Sequence, residues 1–144
     1  MNQQIAKLNY LRIAPRKVRL VADALKGLPV NEAEAQLLMM PHKSSEPMLK
    51  LLRSAIADAK NNKKMLPENL FLMEIKVDQG PMRKTWMPRA YGRATPIHKK
   101  TSHITMVLAE STKPKPPRFK IVKPERIKKR EMEKIKKEKI EQKE

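Results

Sequence analysis

QGPMRKTWMPRAYGRATPIHKKTSH, residues 79–103, is the stretch whose reading decides the fold. It contains Arg83, Lys84, Arg89, Arg93, Lys99 and Lys100, and no acidic residue. Three prolines (Pro81, Pro88, Pro96) and two glycines (Gly80, Gly92) exclude a helix interior or a central sheet strand. Alternating apolar runs flank it and read as strands. Phe71, Met73, Ile75 and Val77 share one face of the first, and Ile104, Met106 and Leu108 one face of the second. The midpoint falls at Ala90–Tyr91, beside Gly92, a residue free to take positive φ. The pattern predicts a hairpin whose arms, roughly 13 residues each, run about 40 Å beyond the sheet at the usual rise per residue.

A two-stranded ribbon of this kind is marginal alone in water. A long excursion from a compact domain is expected where it serves as a functional element. Its basic, acid-free composition, with Trp86 and Tyr91 near the tip, suits contact with phosphates and bases. Two readings of Trp86 and Tyr91 stand side by side: packing on the opposite arm, or stacking on a base or lining a wall.

The chain has 144 residues, a net charge of +18 and a pI near 10.3, which fits one domain and a tail. Such an excess of Lys and Arg favours RNA or DNA, because neutralised phosphates release counterions. A membrane partner is not expected, since no large apolar moment accompanies the charge and no run reaches spanning length. The opening MNQQIAKLNY lacks the charged start and apolar run of a secretory signal. With no cysteine, disulfides and thiolate metal sites are excluded, and a reducing interior fits.

Nothing in the sequence assembles a catalytic centre. His42, His98 and His103 do not form a metal-ligand set with Asp or Glu, and His98 and His103 lie among cations. No phosphate-cradling glycine pattern and no nucleophile elbow occurs. Neither an enzyme nor a cofactor is expected. A free-standing RNA chaperone remains a rival use of the same basic surface.

Before the flanking strand at 70–77 the chain reads as one strand and three helices. Residues 4–13 alternate loosely, with Ala6, Leu8 and Tyr10 on one face. Pro15 opens a helix whose Val18, Val21, Ala22 and Leu25 form an apolar side, ended by Gly27. Arg16, Lys17 and Arg19 gather at its start, where they oppose the helix dipole and so point to an outside anion. Arg12, just upstream, joins them as a candidate contact. Asn31 and Glu34 resemble a capping box for a short helix halted before Pro41. Ser45 is expected to cap a longer helix with the stripe Met48, Leu52, Ala55, Ile56 and Ala59, ended by Asn61-Asn62.

The fold class is therefore α+β: a small three-stranded antiparallel sheet packed with three helices, a long extended β-hairpin, and a basic C-terminal tail. Residues 1–112 are expected to form the globular domain, with the hairpin at about 78–103. Residues 113–144 read as a proline-rich linker and a charged run able to form a helix, without a coiled-coil heptad.

Several segments together resemble the large-subunit ribosomal protein 22 family. PRKVRLVADALKG (15–27) is similar to its first-helix signature, and SAIADAKNN (54–62) to the end of its long helix, with Asp58 a mild departure. MPRAYGRA (87–94) resembles the hairpin tip and KKTSHITMVL (99–108) the return strand. The resemblance covers roughly residues 4–110. It implies a cytoplasmic ribosomal protein that binds large-subunit rRNA of the 23S type beside neighbouring large-subunit proteins and supports subunit assembly. By the same resemblance Arg83, Lys84, Arg89, Arg93, Lys99 and Lys100 contact rRNA. The tip, Met87, Pro88, Arg89, Ala90, Tyr91, Gly92 and Arg93, lines the exit tunnel near where macrolides bind and faces the nascent peptide. Tyr91 stands where the family often has a basic residue, and nothing transfers to the tail.

Overall fold

A computed structural model of the chain describes residues 2–111. The linker and helix expected within 113–144 lie outside the described residues. In chain order the elements are β1 (Gln3–Leu11), α1 (Pro15–Leu25), α2 (Val30–Met39), α3 (Ser45–Lys63), β2 (Leu70–Gln79), β3 (Arg83–Pro88), β4 (Ala94–Lys99) and β5 (Ser102–Glu110). Short 3-10 turns occupy Pro67–Asn69 and Ala90–Gly92. The class is α+β, with three helices and antiparallel sheets among the described residues.

β5 is the central strand of a three-stranded sheet ordered β1-β5-β2, and both neighbours pair with it antiparallel. Its alternation delivers Ile104, Met106 and Leu108 to the core, all at 0% exposure. Against them pack Val18, Val21, Ala22 and Leu25 of α1 and Met48, Leu52, Ala55 and Ala59 of α3. Ala55 and Ala59 are small enough to bring α3 close. With few aromatics available, aliphatic burial holds this layer, at about 1.5–3 kcal/mol for each large side chain fully removed from water.

Two bulges change which residues reach that core. The β2–β5 register shifts between Leu72 and Glu74, so Met73 is an extra residue that reverses the strand's parity. Leu70 and Leu72 point inward before it, and Ile75 and Val77 after it. The expected face of Phe71, Met73, Ile75 and Val77 is therefore split, with Met73 exposed and Phe71 only half-buried. In β1 the register shifts between Leu8 and Leu11, and Tyr10 takes φ 57°. Ala6, Leu8 and Leu11 consequently meet the core, and Tyr10 turns to solvent.

The helix ends also differ from expectation. α2 begins at Val30 behind an N-cap Pro29 that has no side-chain capping bond, which places Asn31 inside the helix. Pro29 bridges to Phe71, while Leu28 O accepts from Leu72 N at 2.9 Å, so the edge of β2 fixes where α2 starts. Glu34 is buried and accepts from Arg53 Nε at 3.0 Å and Nη2 at 2.9 Å, so it is committed to α3. At α3 the N-cap is Ser44. Ser45 lies inside the helix, its hydroxyl buried with no hydrogen-bond partner. That helix continues through Asn61-Asn62 to Lys63. It ends where Lys64 takes φ 52° and Met65 N reaches back to Ala59 O at 3.2 Å.

Candidate nucleic-acid interface

The ribbon formed by β3 and β4 leaves the sheet through a close set of contacts. Gly80 N donates to Thr101 O at 3.0 Å, and Thr101 Oγ1 donates to Pro81 O at 2.7 Å. His103 Nδ1 accepts from Tyr10 N at 3.2 Å, and the two rings meet edge to face at 4.8 Å. The positive φ of Tyr10 is what aims its N–H at the imidazole. Gly80 is required here because a Cβ would stand 2.5 Å from Thr101 Oγ1 and 2.9 Å from His103 Nε2.

Beyond this base, Arg83 to Pro88 pair with Ala94 to Lys99, and the two strands pair only with each other. The turn closes through Arg89 N to Arg93 O at 2.8 Å and Arg93 N to Ala90 O at 3.3 Å. Positive φ falls at Gly92, as the sequence predicts, and also at Tyr91, with φ 55°. Tyr91 is fully exposed and does not pack on the opposite arm. Trp86 stands opposite Pro96 in the register and remains 62% exposed.

The ribbon's charge is uncompensated in a specific way. Arg83 lies directly opposite Lys99. Like charges at directly opposed positions destabilise a strand pair. Among the described residues, the ion pairs are Lys50–Glu46, Arg53–Glu34 and Lys76–Glu74, so none engages a ribbon cation.

At the foot of the ribbon the start of α1 contributes a second basic surface. Ser102 Oγ, fully buried, donates to Ile13 O at 3.1 Å and so fixes the loop that carries Arg12. Two adjoining concavities open on this surface. One, of about 660 Å³, is lined by Ala14, Pro15, Arg16, Lys17, Arg19, Leu20, Gln79 and Lys100. The other, of about 580 Å³, is lined by Arg12, Ile13, Ala14, Lys17, Leu20, Pro41, His42, Lys43 and Ser44. Neither has an acidic side chain in its wall, and they share Ala14, Lys17 and Leu20. α1 starts without a side-chain cap, so the positive end of its dipole adds to this surface.

Of the residues expected from sequence, Arg12, Arg16, Lys17, Arg19 and Lys100 thus converge around two hollows, while Arg83, Lys84, Arg89, Arg93 and Lys99 are spread along the ribbon. Arg19 is partly spent on structure: its Nε and Nη2 donate to Val77 O at 3.2 and 2.9 Å. His42, weighed from sequence only as a metal candidate, and Lys43, which the sequence did not single out, are additions. Their signal was a basic loop between two helices, which acquires meaning only once the fold sets that loop beside α1. Among the described residues no cluster of His, Cys, Asp and Glu is placed to hold a metal ion.

Comparison with known proteins gives a consistent result. Residues 6–109 match the family described as Ribosomal protein L22p/L17e. The chain is 50% identical over 105 residues to "Large ribosomal subunit protein uL22" of Mesoplasma florum, covering 73% of this chain and 94% of that protein. It is 52% identical over 101 residues to the protein of the same name from Syntrophobacter fumaroxidans, covering 70% and 92%. With the one from Deinococcus radiodurans it shares 49% over 105 residues, covering 73% and 78%.

Proposed function

The chain belongs to the Ribosomal protein L22p/L17e family, and from that premise we propose that it is a structural, non-enzymatic constituent of the large ribosomal subunit whose ribbon is held in ribosomal RNA. It acts on the cytoplasmic ribosome, alongside neighbouring large-subunit proteins. The observation that carries the reading is the ribbon with Arg83 opposed to Lys99 and no ion pair among the described residues to relieve it. Such a strand pair gains from an anion laid beside it, and rRNA phosphates supply one. A narrow ribbon can enter folded RNA where a globular domain cannot, and its prolines limit the freedom lost on docking.

Two duties follow. The basic residues of the α1 start and the ribbon tie rRNA segments together during assembly. The turn from Met87 to Arg93 lines the exit tunnel and meets the nascent peptide, with Tyr91 fully exposed at the tip. The long hairpin at about 78–103 and the charged extension at 113–144 are separate devices on a domain spanning 1–112.

The test is to replace Arg89 and Arg93 by alanine. Melting of the free protein should change little, because both side chains are exposed. Retention on large subunits through a high-salt wash should fall several-fold. A large drop in melting temperature with unaltered retention would show a ribbon that packs on its own domain. Failure of the unaltered chain to co-sediment with large subunits would favour a free-standing RNA chaperone.

A further inference from the structure

The smaller of the two basic concavities differs from a plain phosphate seat, because part of its wall is apolar. Ile13 is half-buried, Leu20 is 69% exposed and Pro41 is exposed, while Arg12, Lys17 and Lys43 supply charge around them. A bare phosphate gains nothing from such walls. A helical RNA cannot use them either, since its base faces are stacked inside and its surface offers backbone, 2′-hydroxyls and base edges, all polar. An unpaired nucleotide carries both halves of the match, an apolar base face and a flanking phosphate. The volume, about 580 Å³, lies in the roughly 300–1,000 Å³ range of pockets for small organic groups.

We propose that this concavity receives one unpaired nucleotide turned out of an RNA strand. The inference rests on the RNA-binding reading given above and names what that part of the surface takes. The base lies against Leu20 and Pro41 with the His42 ring available for stacking, and the phosphates on either side meet Lys17 and Lys43. Because the second concavity shares Lys17 and Leu20 and reaches Gln79 and Lys100, the same strand continues from the loop between α2 and α3 to the foot of the ribbon. The site therefore sets the register of the RNA relative to the ribbon.

The experiment uses the full chain and protein-free large-subunit rRNA, with filter binding and chemical probing of both base edges and backbone. The unaltered chain should shield at least one unpaired base in addition to backbone positions. His42→Ala with Lys43→Ala should weaken binding about tenfold. That base should become reactive again, while the protections that depend on Arg89 and Arg93 persist. Leu20→Ser, at an exposed position, should do the same without changing the charge. Unchanged affinity and unchanged base reactivity in both variants would overturn the proposal. So would loss of backbone protection alone, which would describe a phosphate contact without a seated base. Absence of any rRNA binding by the unaltered chain would instead defeat the reading on which the proposal rests.

Discussion

A methyl group at position 80 would meet atoms that have little room to yield. Thr101 Oγ1 is held by its bond to Pro81 O, and the His103 ring by Tyr10 N–H and the edge-to-face contact. Gly80→Ala must therefore rotate Thr101 out of its hydrogen bond or move the backbone at the ribbon's foot. Losing one net hydrogen bond with some strain costs about 1–3 kcal/mol. The melting temperature should fall by several degrees, at about 4–8 °C per kcal/mol for a domain of roughly this size. In a Thr101→Ala background the same change should cost less, since the closest obstacle is gone. Strict additivity of the two changes in a double-mutant cycle would refute this contact as the reason for glycine. The sequence marked Gly80 only as punctuation before Pro81. Its neighbours are 21 and 23 residues away along the chain, and only β5's pairing with β2 brings them near.

At the scale of elements, the ribbon's stability and its affinity for RNA should move in opposite directions. Lys99→Glu converts the Arg83 opposition into an attractive cross-strand pair, worth about 0.2–1 kcal/mol. Amide exchange at Thr85 and Ile97 in the free protein should slow, while binding to large-subunit rRNA weakens. Parallel movement of both readouts would mean that charge opposition does not govern the ribbon. The element pattern was largely legible beforehand, because three helices and the flanking strands each carry a periodic apolar face. The bulges were not, since nothing in LFLMEIKV (70–77) marks Met73 as the surplus residue. Parity is set by pairing with β5, and Met73 is apolar on either face. Capping failed for a related reason. Asn31 and Glu34 have the spacing of a box, but the β2 edge holds Pro29 and starts the helix earlier, and Arg53 on α3 claims the carboxylate. For the candidate site, sequence identified the cations of the ribbon and of the α1 start. It could not bring His42 and Lys43 beside Arg12 and Lys17, because that grouping depends on how the loop between α2 and α3 sits against α1.

For the whole molecule, the question is how a net charge of +18 divides between placed contacts and general attraction. The buried apolar core among the described residues runs from Ala6 to Ala109. Residues 112–144 carry 14 of the Lys and Arg residues and 6 of the acids. A chain ending at Ser111 should then melt like the full protein, because it keeps every core residue from Ala6 to Ala109. Its affinity for large-subunit rRNA should fall, and the log–log salt dependence should flatten by roughly 0.7–0.9 for each phosphate the extension neutralises. Base protections should nevertheless persist, since hydrogen bonding and stacking, which distinguish one nucleotide from another, are assigned to the ribbon and the concavities. Arg89→Ala with Arg93→Ala should show the complementary result, a salt slope smaller by about 1–2 together with loss of particular protections. If truncation erased the base protections and the arginine changes did not, specificity would belong to the extension, and the ribbon would contribute only charge.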